Sequence, residues 1–155
     1  MSSSQQNLSA IKDLPNGNGF RFNIVVSEWN RQITEALYDS CIQTLLQAGC
    51  KAENLTRTNV PGSFELPLGA KRGIDQGNFN AIICLGCVIQ GETRHFDFIC
   101  SAVANGIMKL NLEHTTPVIF GVLTTENLQQ AIDRSGGKHG NKGVEAAVTA
   151  LKMAV

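Results

Sequence analysis

The sequence has no concentration of charge of either sign: thirteen Lys and Arg balance thirteen Asp and Glu, and neither kind forms a run. A nucleic-acid or anionic-membrane surface needs a basic patch to displace counterions, so neither partner is expected. No apolar stretch is long enough to span a bilayer. The opening residues, MSSSQQNLSAIKDLPNGNG, lack the basic and apolar regions of a signal peptide. A cytoplasmic protein is the expectation, although a trimmed organellar transit peptide would leave no trace. There is no internal repeat, and no low-complexity segment beyond the polar N-terminal arm. A disulfide framework is also missing, because the five cysteines (41, 50, 84, 87 and 100) are odd in number and wrongly spaced for one. Cys84 and Cys87 form a C-x-x-C inside AIICLGCVI, which reads as a buried strand. Their side chains then point to opposite faces, so buried free thiols are expected rather than a metal or redox pair.

What is present suits a single soluble domain. The chain has 155 residues with 17% charged, enough for one core and polar enough to stay in solution. Four short apolar runs, Phe22 to Ser27, Leu55 to Val60, Ala81 to Ile89 and Val118 to Leu123, read as strands. The second is the least apolar, owing to Thr56, Arg57 and Thr58. Helical spacing appears between them: Ile33, Leu37, Cys41 and Leu45; a segment from Phe64 to about Gln76 with Leu66, Leu68 and Ala70 to bury; Phe96 to Leu110; Leu128 to Ile132; and Val144 to Leu151. Alternating strand and helix predicts a three-layer α/β/α sandwich around a four-stranded parallel sheet, flavodoxin-like in class. Residues 20–155 form its one domain, preceded by an arm over 1–19. Ligands of such sheets sit beyond the carboxyl ends of the strands, so the loops there are the places to examine.

The first strand leads into Ser27-Glu28-Trp29-Asn30-Arg31, where the single tryptophan either stacks on a planar heterocycle or closes the end of the core. The second leads into Val60-Pro61-Gly62-Ser63-Phe64-Glu65. Ser63 is placed to cap a helix, and Glu65 either meets a ligand or favours the helix dipole. The third leads into Gly86-Cys87-Val88-Ile89-Gln90-Gly91-Glu92-Thr93-Arg94-His95-Phe96. Here Gly91 permits close approach, and the amides of Glu92 and Thr93 can face an anion at a helix start. The positive end of that helix disfavours imidazolium, so His95 is expected neutral and proton-accepting; alternatively it donates to a neighbouring carbonyl. After the fourth strand, a short helix ends at Arg134. The basic, glycine-rich Ser135 to Gly143 then either binds phosphate or links two helices; it is not a Walker loop. Arg134 is expected at the wrong edge of the sheet to reach the loops at Trp29, Phe64 and His95 of its own chain. It would serve the same ligand only from a neighbour.

In these loops the sequence resembles the lumazine synthase family. The resemblance is carried by Val60 to Glu65, Leu85 to Phe96, Pro117 to Asn127 and Gly140 to Gly143, in order, from about Phe20 to the C-terminus. It implies condensation of 5-amino-6-(D-ribitylamino)uracil with 3,4-dihydroxy-2-butanone 4-phosphate to 6,7-dimethyl-8-ribityllumazine, phosphate and water. This is the penultimate step of riboflavin biosynthesis, carried out with no metal or organic cofactor and accelerated largely by positioning two substrates. By the same resemblance, Trp29 stacks on the pyrimidine with Asn30 beside it. Ser63, Phe64 and Glu65 bind the ribityl chain and ring edge, and Cys87, Val88 and Ile89 line the ring site through backbone groups. Glu92 and Thr93 hold phosphate, and His95 transfers protons. From the adjacent subunit Phe120 covers the ring and Arg134 grips phosphate, assisted by Lys142.

The family also implies pentamers. The short link over 136–143 favours sixty-subunit shells, and the family further implies association with riboflavin synthase and an N-terminal arm joined to a neighbour's sheet. Trp29, Cys87 and Gln90 depart from the residues frequent at those positions, namely Phe, Thr and Arg. The rival reading on the same scaffold is a non-catalytic flavin or lumazine binder, or a shell-forming protein. An electron carrier lacks support, because no hydroxyl-rich phosphate loop follows the first strand.

Overall fold

The computed structural model describes residues 13–155. The first part of the arm, with its expected pairing to a neighbour, lies outside the described residues. Four strands form one parallel sheet: β1 (Phe22–Ser27), β2 (Leu55–Val60), β3 (Ala81–Ile89) and β4 (Val118–Thr125), in the order β2-β1-β3-β4. Three match the expected limits, and β4 runs two residues further. The helices are α1 (Arg31–Gln47), α2 (Leu66–Gln76), α3 (His95–Glu113), α4 (Leu128–Asp133) and α5 (Lys142–Met153).

Because β1 and β3 are flanked on both sides and covered on both faces, their residues must be apolar at consecutive positions. Phe22 to Val26 and Ala81 to Leu85 are all buried and, apart from Asn23, all apolar; the Asn23 side-chain oxygen accepts from Thr58 Oγ1 at 3.0 Å. Alternate residues feed two cores. Ile24, Val26, Ile83 and Leu85 meet Leu37 and Leu45 of α1 and Ala147 and Leu151 of α5. Val25, Ile82, Cys84 and Val122 meet Leu66 and Ala70 of α2 and Val103 and Ile107 of α3. The expected three-layer sandwich is the observed one.

β2 is polar because it is an edge strand. Arg57 makes a two-pronged contact with Glu35 of α1, at 3.0 and 2.5 Å, and its guanidinium lies 4.3 Å from the centre of the Tyr38 ring. The guanidinium holds the Glu35 carboxyl below its usual range.

Four local expectations are corrected. Residues 63–65 form a 3-10 turn, and α2 starts only at Leu66. Ser63 does not cap this turn; the Glu65 carboxylate does so instead, accepting from the Gly62 N–H at 3.0 Å. A carboxylate reaching back to an unpaired amide is the stronger partner. Leu68 is exposed, because α2 turns Leu66, Gly69, Ala70 and Gly73 inward. Cys100 is half-buried, whereas the other four thiols are buried.

The glycine-rich link after α4 is an ordered hairpin of β5 (Ser135–Gly137) and β6 (Gly140–Asn141). Positive φ at Gly136 (117°) and Gly140 (82°) lets it fold back on itself. Its last residue caps α5, where the Asn141 Oδ1 accepts from the Gly143 N–H at 2.7 Å.

Candidate functional site

The loops after β1, β2 and β3 are tied to one another by main-chain and side-chain bonds at the carboxyl end of the sheet. Glu28 N–H donates to the Val60 carbonyl at 2.9 Å, and Trp29 N–H donates to the Pro61 carbonyl at 3.1 Å. Asn30 Nδ2 donates to the Cys87 carbonyl at 2.9 Å. Asn30 itself is left-handed, with φ 57° and ψ 48°, and is the only described non-glycine residue with positive φ. Asparagine tolerates that region better than most L-residues. The turn it makes leaves the Trp29 ring 72% exposed beside the strand ends, a position open to a planar ligand.

Gly86 places the next piece. A Cβ there would stand 2.6 Å from Ser63 Oγ and 2.8 Å from Leu66 Cδ1, so its absence lets the turn after β2 lie directly on β3. Ser63 is thereby buried, Glu65 is half-buried and Phe64 projects outward, 58% exposed. The hydroxyls of Ser63 and of Ser27, at the end of β1, are buried without a partner among the described residues. Ser27 was not singled out in the sequence, where a serine ending a strand carries no signal of its own.

At the end of β3, Val88 and Ile89 are half-buried, while Glu92 and Thr93 beyond it are exposed. Cys87 turns its thiol inward, where burial pushes it up to about 12, so it is an inert wall and not a nucleophile. His95 is exposed as the first residue of α3, and its N–H donates to Thr93 Oγ1 at 3.4 Å. The structure thus gathers Trp29, Asn30, Ser63, Phe64, Glu65, Cys87, Val88, Ile89, Glu92, Thr93 and His95 on consecutive strand-end loops.

The remaining residues lie on β4 and beyond it. Phe120 projects from that edge strand, 38% exposed. Arg134 and Lys142 line a cavity of about 550 Å³ bounded by the end of β4, α4, the hairpin and α5. Its other ionisable wall residues are Glu126, Asp133, His139 and Glu145. No residue of the loops after β1, β2 or β3 contributes to that wall, and Phe120 does not either. The sequence reading missed the acidic residues and His139, although His139 stands in the same basic loop that drew attention to Lys142. Among the described residues, no group of three His, Cys, Asp or Glu is placed to hold a metal ion, and no helix is long and apolar enough to cross a membrane.

Comparison with known proteins decides the family. The family model for 6,7-dimethyl-8-ribityllumazine synthase matches residues 19–155. The chain belongs to this family. A 6,7-dimethyl-8-ribityllumazine synthase of Cytophaga hutchinsonii is 59% identical, over 99% of this chain and 97% of the relative. Proteins of the same name from Flavobacterium johnsoniae and Parabacteroides distasonis are 54% and 50% identical, each over 99% of this chain and over 82% and 97% of their own lengths. The family is one of transferases that catalyse the penultimate step of riboflavin biosynthesis.

Proposed function

We propose that this chain condenses 5-amino-6-(D-ribitylamino)uracil with 3,4-dihydroxy-2-butanone 4-phosphate to give 6,7-dimethyl-8-ribityllumazine, inorganic phosphate and water. The observation that carries the reading is the grouping of an exposed flat ring, Trp29, with main-chain groups of β3 and the start of α3, in a chain of this family. Trp29 stacks on the pyrimidine. Ser63, Phe64 and Glu65 bind the ribityl chain and the ring edge, and Val88 and Ile89 present backbone groups. The Cys87 carbonyl is already engaged by Asn30, so Asn30 acts by holding that wall in place. Glu92 and Thr93 hold the phosphate end of the second substrate. His95 moves protons as the Schiff base forms, phosphate leaves and the ring closes with loss of water. Holding two substrates in register supplies much of the acceleration.

The site is shared between subunits: Phe120, Arg134 and Lys142 act from a neighbour. Two observations support this. The cavity that holds Arg134 and Lys142 is bounded without the other loops. An apolar surface including Leu68, Phe98, Met108 and Leu112 is left exposed along α2 and α3, as a self-associating chain leaves it. The assembly is a pentamer, twelve of which close into a sixty-subunit shell that associates with riboflavin synthase in the cytoplasm. Light scattering that finds only a pentamer removes the shell.

Mixing the purified protein with both substrates tests the activity. Lumazine absorbance should rise together with released phosphate. Binding of either substrate with no product would leave a binding protein in place of an enzyme.

A further inference from the structure

The cavity at the edge of β4 has a charge balance that its proposed ligand does not match. Its wall carries two permanent cations, Arg134 and Lys142, against three carboxylates, Glu126, Asp133 and Glu145. Lys142 is already engaged, with its Nζ 3.1 Å from Glu145 Oε2. Arg134 has no ion pair among the described residues, so a phosphate dianion would meet one uncommitted cation in an otherwise acidic wall. His139 is the remaining ionisable wall residue, and histidine is the side chain whose charge ordinarily changes between pH 5 and 8.

Two main-chain bonds bring it to this place. His139 N–H donates to the Asp133 carbonyl at 2.6 Å, and Lys142 N–H donates to the Arg134 carbonyl at 2.9 Å. The hairpin is thereby folded back onto the end of α4, so that His139, Arg134 and Lys142 belong to one wall. The charged groups around His139 are Asp133 and Arg134 at the end of α4, Glu126 before it, Lys142 and Glu145 of α5, and Lys138 in the hairpin itself. α1 meets the hairpin through uncharged groups: Asn141 Nδ2 donates to the Ala36 carbonyl and to Ser40 Oγ. Asp39 of that helix bears instead on Tyr38 and Arg57.

We propose that His139 is a further binding residue for the phosphate-bearing substrate, adding in its protonated form a positive charge to that of Arg134 on the same wall. The inference rests on the placement of the phosphate beside Arg134. Protonation adds a charge-assisted donor and takes the formal charge of the wall from one negative, with Arg134 and Lys142 against Glu126, Asp133 and Glu145, to zero. Binding of the anion in turn favours the protonated form, so affinity and protonation are linked and affinity rises as pH falls.

Sulfate is the probe, because its charge does not change over the range, whereas that of phosphate does. Titration calorimetry on the intact assembly at pH 5.5 and pH 8 should show the parent binding sulfate roughly tenfold tighter at the lower pH. In His139→Ala most of that difference should vanish, and His139→Lys should bind tightly at both pH values. Protonation of His95 or of the wall carboxylates is common to parent and variants, so it cancels in their ratio. An unchanged pH dependence in His139→Ala overturns the proposal. Undiminished sulfate binding in Arg134→Ala at pH 8 overturns instead the placement of the phosphate, and the role of His139 with it.

Discussion

Asn30 Nδ2 donates to the main-chain carbonyl of Cys87 across 2.9 Å, joining the turn after β1 to the end of β3. The same residue holds a left-handed backbone at φ 57° and ψ 48°, so one side chain serves both the turn and the strand beside it. Asn30→Gly keeps the backbone accessible and loses the bond, at a cost of about 1 kcal/mol. Asn30→Ala loses the bond and strains the turn, and should be the less stable of the two by about another 1 kcal/mol. Urea unfolding measures both. Equal losses would show that the left-handed turn contributes nothing.

Gly143, at the start of α5, lies against the main chain of α1. A Cβ there would collide with the Leu37 carbonyl oxygen and stand 2.7 Å from its carbon. Backbone in a packed helix cannot move aside as a flexible side chain can. Gly143→Ala is therefore expected to destabilise by roughly 3 kcal/mol, against about 1 kcal/mol for Val144→Ala at the next, half-buried position. Near-equal unfolding midpoints for the two variants would argue that α5 is free to shift away from α1.

What the sequence showed clearly was whatever burial on both faces imposes. β1 and β3 are apolar at every second residue on each side, so their limits could be read directly. β2 was harder, because an edge strand draws its stability from contacts such as Arg57 with Glu35 and Tyr38, which no local pattern announces. Leu68 was misjudged because α2 buries two glycines, Gly69 and Gly73, and glycines add nothing to an apolar periodicity. The hairpin at Ser135 to Asn141 was invisible for a similar reason: its strands are three and two residues long and glycine-rich. The strand-end loops were legible as places, since topology fixes where they fall. That Asn30 engages Cys87 depends on contact across 57 positions of chain, which only the fold reveals.

Buried thiols make stability depend on alkaline pH. Burial pushes Cys84 up to about 12, and desolvation, with a smaller effect from Cys50, moves Cys41 further the same way. An unfolded thiol releases its proton near pH 8.5, so the folded chain binds more protons than the unfolded one above that point. The contribution is complete below about pH 8.5 and is lost as pH rises towards about 12, at about 1.4 kcal/mol per pH unit for each thiol. Cys84→Ala should lower stability at pH 7 through its lost packing and also flatten the decline between pH 8.5 and 10. If parent and variant lose stability at the same rate over that interval, Cys84 does not hold its proton in the fold.

The division of the proposed site between two chains has a direct genetic test. His95 stands at the start of α3, and Arg134 lines a cavity at the edge of β4 to which the His95 loop contributes nothing. If each working site takes His95 from one chain and Arg134 from the next, then His95→Ala and Arg134→Ala are each inactive as uniform assemblies. In a mixed assembly, some neighbouring pairs bring an intact histidine against an intact arginine. Random pairing of equal amounts restores roughly a quarter of the sites. Co-expression of the two variants, or denaturation and joint refolding, ensures that subunits mix, and turnover is then compared with each variant treated alone. A site contained within one chain gives no recovery at any ratio. A shared site gives activity that peaks at equal amounts and falls away on either side, because restored sites scale with the product of the two fractions.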